Sequence, residues 1–358
     1  RPQAAAGMAP AASVGAAAAA AAVVAAAAPR IELFFKSADE LRARVRTLRS
    51  FGVSAFNLVN KHKEDATLDW VRAVADEAPG ATVCAHFSLK YNAAGVRQGG
   101  AEATFQRFVE FCAALSALPK GPGGCEAEVL LITGSGPKGP MDAVECLSRW
   151  ARHRQASGPA GQGLDVRIGV AFNPYFADEA AREEERTRLR RKLETGAASS
   201  VWLQFGTDLG LLEDALQWLS SLGHLRPGRV VGSVFLPTKR LIAQQRFRPW
   251  NGVFLSENYL SGPDEASAIS RELLAVYSRF GVEILAEAPG VYSRSDFDLL
   301  MELLPPPRQA QPQGGSFRGT PFRASEKGVM ETGSPASGGI ARDQVSKRPA
   351  AKRWRRAQ

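Results

Sequence analysis

Two hydrophobic rhythms alternate along the chain. Runs of apolar and β-branched residues, five to eight long, recur, and each is followed by a stretch with apolar positions three and four apart. The first run, 31–35, precedes helical periodicity over 38–51. The second, 55–59, precedes 67–77, and the third, 82–89, precedes 101–118. The fourth, 127–133, is followed by 141–155, and the fifth, 166–172, by 178–195. The sixth, 201–205, is followed by 211–222. The seventh, 230–236, is followed by two helical stretches, 239–245 and 264–280. The eighth, 282–286, is followed by 293–304.

The strands read as continuous apolar runs rather than as alternating ones, which is the pattern of parallel strands covered on both faces. Eight strand–helix units between residues 31 and 304 predict an α/β fold, a (β/α)₈ TIM barrel, whose typical size is about 250 residues. An open doubly wound sheet is the alternative. It usually carries a glycine-rich nucleotide fingerprint after its first strand, and here that position reads Lys36-Ser37-Ala38-Asp39.

The ends of the chain differ from this middle. Seventeen of the first thirty residues are Ala, and 16–28 is a run of Ala and Val alone. That run is shorter than the roughly 20 apolar residues of a membrane span. It reads either as the apolar core of a targeting segment or as a low-complexity alanine tract. Residues 305–358 are rich in Pro, Gly, Ser and Arg and poor in large apolar residues, so they predict a disordered tail. The expected organisation is a 1–30 leader, a 31–304 barrel and a 305–358 tail.

Charge sharpens that division. The formal net charge is +9, yet 31–304 holds 32 basic and 33 acidic residues. The excess sits in the ends, mostly in the tail, which closes on the basic cluster 347–356. The cluster resembles a nuclear-import or polyanion-binding motif, and a solvated charged tail is the plainer reading. A nearly neutral barrel argues against a nucleic-acid-binding protein as a whole. The four Cys show no CxxC spacing, and Cys84 and Cys112 fall in apolar-periodic segments, as buried thiols would. The four His show no metal-ligand spacing, so no metal is expected. The cytoplasm or an organelle fits these features, and a homo-oligomer is left open.

In a barrel the chemistry sits where strands end and βα loops begin. The polar residues there include Glu32, Lys36, Asn57, Asn60, His86, Ser88, Asn173, Tyr175, Gln204, Thr238 and Arg240. Any one of them alone is more often a cap or a loop hydrogen-bonding group. Two features stand out. Glu32 interrupts an apolar strand, so its carboxyl points either into the lumen or beneath the helices, where poor solvation suits a general acid. A buried carboxylate paired with an Arg is the other reading. Gly134-Ser135-Gly136-Pro137-Lys138-Gly139 matches GxGxxG after the fourth strand, although Pro137 and Pro140 interrupt the turn that should open a helix.

Several of these segments resemble the methylenetetrahydrofolate reductases. Leu189-Arg190-Arg191-Lys192-Leu193-Glu194-Thr195-Gly196-Ala197 with Trp202-Leu203-Gln204-Phe205 carries the resemblance most specifically. Ile31-Glu32-Leu33-Phe34-Phe35, Ala85-His86-Phe87-Ser88, Ile168-Gly169-Val170-Ala171 and Gly232-Ser233-Val234-Phe235-Leu236-Pro237 follow in the same order. The resemblance implies a flavin-dependent barrel that reduces methylenetetrahydrofolate with NADH or NADPH through FAD. It implies Glu32 as the general acid and Gln204 as a pterin contact. It further implies flavin contacts at His86, Ser88, Gly134, Ser135, Ala171, Asn173 and Lys192, with a folate as substrate. There are departures. Thr133-Gly134-Ser135 stands where the family carries Arg-Gly-Asp, and Asn173-Pro174-Tyr175-Phe176-Ala177 where it carries Tyr-Pro-Glu-Val-His. These changes cluster on the flavin side. They keep open a barrel that has lost catalysis and binds folate or a protein without flavin.

Overall fold

A computed structural model describes residues 29–304, apart from 61–65, 94–98, 122–123, 135–138, 157–163, 165, 226–227 and 288–289. The leader, the tail with its 347–356 cluster, and Ser135 lie outside the described residues. The eight apolar runs form eight parallel strands: β1 (Arg30–Leu33), β2 (Ala55–Leu58), β3 (Thr82–Ser88), β4 (Glu126–Ile132), β5 (Arg167–Phe172), β6 (Ser200–Leu203), β7 (Val230–Phe235) and β8 (Glu283–Glu287). Each pairs with the next and β8 pairs with β1, so the sheet closes into a (β/α)₈ barrel.

Ten helices are described around it. They are α1 (Ala38–Ser50), α2 (Thr67–Glu77), α3 (Gly100–Ser116), α4 (Ala143–Ala156), α5 (Glu179–Glu194), α6 (Leu209–Ser221), α7 (Lys239–Phe247), α8 (Glu257–Ser261), α9 (Pro263–Phe280) and α10 (Arg294–Leu303). Their starts follow from local chemistry. The side chains of Ser37, Asp178, Asp208, Thr238 and Ser293 each accept a backbone N–H from the first turn, satisfying a donor the helix itself leaves unpaired. The single turn of α8 was too short to show as a periodic stretch.

Strand residues alternate between two cores. Ile31, Phe56, Val83, Val129, Ile168, Val201, Val234 and Ala286 face outward and pack beneath the helices. Cys84, Leu130, Trp202, Val231 and Leu285 form a separate apolar cluster, with Ile132 against it. Pairing register puts these five on the opposite face, so they plug the lumen. Gly169 makes room for the plug: a Cβ there would lie 2.2 Å from the Trp202 indole nitrogen.

Arg30, at the start of β1 and not in the leader, lies under this plug. Its guanidinium is 5.3 Å from the Trp202 ring and reaches Glu128 at 3.5 Å and Glu283 at 3.2 Å. Burial pushes the Glu128 carboxyl up, against the opposing pull of Arg30 and Arg167, the latter a direct ion-pair partner. The lumen is thus closed from below by charge pairs and in the middle by apolar packing. Only its C-terminal mouth is left to hold a ligand. All four cysteines are buried and free.

Candidate functional site

The mouth is lined by lumen-facing residues one step above the plug. Glu32 pairs in register with Asn57 on β2, and Asn57 pairs with Cys84 on β3. His86, two residues beyond Cys84, therefore faces the same way. The Asn57 Nδ2 lies 3.5 Å from the His86 Nε2, so the polar positions of β1, β2 and β3 form one row. Glu32 is buried, and its register with Asn57 sets it on the lumen face rather than beneath the helices. Asn57 is fully buried, and its Oδ1 has no hydrogen-bond partner. A buried acceptor left unpaired costs about 1–3 kcal/mol, an outlay more common at sites that meet a ligand than in a core built only for stability.

Ser88 and Gly134 meet on the β3–β4 side. Gly134 has φ +87°, and a Cβ there would lie 2.8 Å from the Lys90 Cβ and 3.1 Å from the Ser88 Oγ. Asn60, at the end of β2, accepts from the Ser88 N–H at 3.2 Å and from the Asn92 side chain at 3.0 Å. Its work is to tie β2 to β3.

The other predicted residues gather on the β5–β6 side. Lys192, on α5, donates to the Ala171 carbonyl at 2.8 Å. Burial pulls its ammonium below the usual lysine range, with Glu185 opposing. Asn173 donates to the Gly252 carbonyl at 2.9 Å and accepts from the Tyr175 N–H. The Gln204 Oε1 accepts from the Phe205 N–H at 2.9 Å, and its Nε2 lies beside Gly252. Gly252 belongs to the segment joining α7 to α8. That segment pairs with the end of β6 through Gly206 and Phe254 and through the bond from the Thr207 N–H to the Phe254 carbonyl at 3.0 Å. It therefore lies over the β5–β6 side of the mouth.

Sequence reasoning missed Glu287. Extending the β1–β8 register by one residue sets it beside Glu32. Enough protein surrounds its carboxyl that burial pushes it up to about 7, although the residue as a whole keeps partial exposure and Ser233 pulls the other way. The signal was present: Glu283, Leu285 and Glu287 share one face of β8. The apolar run ended one residue short of it.

Above the β8–β1 seam lies a cavity of about 520 Å³, lined by Phe34, Lys36 and Arg44, by Arg240 and Trp250, and by Tyr292. Arg44 stacks 4.0 Å from the Tyr292 ring and pairs with Glu40. Glu40 and Gln244 complete the lining, so the wall is aromatic and polar with cations in excess of its one carboxylate, which suits a flat ligand with an anionic end. Among the described residues no group of side chains is arranged to hold a metal, and no helix is long and apolar enough to cross a membrane.

No protein-family model matches the chain, and no curated protein does. Solved structures do match. Yersinia pestis DHPS with a pterine-sulfa conjugate is 12% identical, with 77% of this chain and 91% of that one covered and a TM-score of 0.38. The Escherichia coli 3-keto-D-glucoside 4-epimerase YcjR is 10% identical, with 77% and 97% covered and a TM-score of 0.41. A GH10 endoxylanase from a sugarcane soil metagenome is 12% identical, with 73% and 86% covered and a TM-score of 0.44. Likenesses this distant add nothing about chemistry, and the barrel rests on its own strand order.

Proposed function

We propose that the protein is an oxidoreductase of the methylenetetrahydrofolate reductase kind, reducing a folate bound at the mouth with electrons from NADH or NADPH carried through FAD. The observation that supports this best is Glu32. It is a buried carboxyl facing the lumen, in register with Asn57, above an apolar plug and below the aromatic, cationic cavity.

FAD fits the residues present. The unpaired Asn57 Oδ1 calls for an N–H donor, and Gly134 leaves backbone bare beside Ser88, where a Cβ would have no room. His86, Ser88, Gly134, Ala171 and Asn173 would line it, and Lys192 would offer its charge to the phosphates. Bound there, FAD supplies hydride chemistry that no side chain can.

The chain's own work is protonation and positioning. Glu32 holds a proton in a poorly solvated place and gives it to a folate ring nitrogen, so that the bridging methylene opens into an iminium that can accept hydride. Gln204 presents its Nε2 as a donor, because Phe205 occupies its Oε1. Lys36, Arg44 and Arg240 face the anionic end of the substrate. The plug beneath excludes water from the reacting atoms.

Glu32→Gln tests this reading. It should leave ligand binding within a few-fold and lower folate reduction by about 10²–10⁴, the usual contribution of a positioned acid. Full activity in that variant would remove Glu32 from the chemistry. One observation favours a second reading, in which the barrel binds folate without flavin. The Lys192 ammonium is already tied to the Ala171 carbonyl, and Thr133 stands in place of a phosphate-binding Arg. That reading predicts folate binding by a colourless protein.

A further inference from the structure

Glu287 lies in the same mouth, and its surroundings give it a task whatever the mouth binds. The Ser233 Oγ lies 3.0 Å from the Leu203 carbonyl and within hydrogen-bond reach of the Glu287 Oε1. A hydroxyl has one hydrogen, and a carbonyl only accepts. If Ser233 donates to Leu203, the contact with Glu287 needs a proton on the carboxyl. An ionised Glu287 would instead draw the hydroxyl away from Leu203. The backbone around Ser233 leaves little room to adjust. The Tyr277 hydroxyl donates to the Ser233 carbonyl at 3.1 Å, and the Tyr277 ring fills the space at Gly232, where a Cβ would come within 2.5 Å.

Other groups face this carboxyl from each packed element among the described residues. Glu32 comes from β1, one residue beyond the last paired position, Ile31 with Ala286. Ser233 comes from β7 and Tyr277 from α9. His86 faces the lumen from β3. The Arg30, Glu128 and Glu283 group lies below the plug, and Lys36, Arg44 and Arg240 line the cavity above. Among the described residues the hydrogen-bond partner of the Glu287 carboxyl is Ser233, and none of these cations pairs with it. Its nearest charged neighbour along the register is another carboxyl, and two adjacent carboxylates in a poorly solvated site resist ionising together.

We propose that Glu287 and Glu32 titrate as one carboxyl pair across the β8–β1 seam, with Glu287 a positioning residue whose charge state, balanced between burial and the Ser233 hydroxyl, fixes the charge state in which Glu32 works. Groups coupled in this way lose their protons in steps that belong to the pair. Burial of Glu287 strengthens the coupling, because screening falls with solvation.

The experiment is a pH titration of the full chain, free of ligand, followed by carboxyl infrared absorbance or by carbon NMR of glutamate labelled at its side-chain carboxyl. The wild type should show a carboxyl titrating near neutral pH, and Glu287→Gln should remove it. In Glu32→Gln the same titration should move down by about one pH unit or more, because a like charge has been removed. A wild type with no carboxyl titrating above the ordinary range overturns the proposal. So does a neutral-range titration that Glu287→Gln leaves in place, or one that Glu32→Gln leaves unmoved. If either glutamine variant fails to fold, Ser233→Ala decides. It should shift the titration upward by removing a donor to the carboxylate, and no shift overturns the assignment. Turnover enters none of these readings, so they stand or fall separately from the folate reading.

Discussion

Gly169→Ala should destabilise the barrel far more than the addition of one methyl suggests. Gly169 sits mid-strand on β5, and a Cβ there would lie 2.2 Å from the Trp202 Nε1, 2.6 Å from its Cδ1 and 2.9 Å from the Ser200 Oγ. The indole cannot simply swing away. It is 4% exposed, packed with Cys84, Leu130, Val231 and Leu285, and stacked over Arg30. Its N–H donates to Ser200 at 3.0 Å, and the added methyl would intrude on that bond as well. Overpacking of a well-filled core costs about 1–3 kcal/mol. A buried donor left unpaired adds about 1–3 kcal/mol. The sum, on the order of 3 kcal/mol, is a large share of the roughly 5–15 kcal/mol that holds a typical domain. Urea unfolding followed by tryptophan fluorescence reads it directly, and thermal melting should show a fall of roughly 6–12 °C. Gly139→Ala is the control, since a Cβ there meets nothing within 4 Å. A loss at position 169 below about 1 kcal/mol, equal to that of the control, would refute the plugged lumen on which the site rests.

Three further outcomes follow from other parts of the barrel. Glu287 holds its proton to about 7 when folded, against 4.5 for an ordinary glutamate, so the folded state binds more protons between those values and stability falls as pH rises through them. Glu287→Gln removes that penalty. The variant should match the wild type at about pH 4 and exceed its stability above about pH 7 by on the order of 3 kcal/mol, and parallel stability curves would contradict the shift. Arg30→Met should cost about 1–3 kcal/mol in urea unfolding, because it removes one of the two cations paired with the buried Glu128, which keeps Arg167; a neutral outcome would mean that the Arg30 pairs add nothing to stability. Tyr277→Phe should cost about 0.5–1.5 kcal/mol, the worth of its bond to the Ser233 carbonyl, and hydrogen exchange should show β7 opening more readily; unchanged exchange there would exclude that role.

Much of this architecture was legible in the sequence because parallel strands covered on both faces are written as unbroken apolar runs. The eight runs became the eight strands, with ends displaced by one or two residues. Helix starts fell within two residues of the periodic stretches, and the structure shows Ser37, Asp178, Asp208 and Thr238 capping four of them, which is local chemistry. Glu32 was legible because a carboxylate in an apolar run has few places to go. Glu287 was not, because its meaning comes from the closure of β8 against β1, about 250 residues away in the chain. Trp202 read as part of an apolar run, and only the lumen shows that it forms the floor of the site. Gln204 and Asn173 were candidates by their place at strand ends, but the Gly252 segment beside them was not legible, and it occupies part of the hydrogen-bonding capacity of Asn173. Loop contacts of that kind leave no periodic trace.

The proposal that this mouth carries electrons to a folate is tested most directly by the absorbance spectrum of the freshly purified full-length protein. A flavin-loaded barrel is yellow, with a band at about 450 nm that bleaches on addition of NADH or NADPH and returns when methylenetetrahydrofolate is added. A colourless protein that gains no such band on incubation with FAD, while still binding folate, would contradict the reductase and leave the flavin-free barrel in its place.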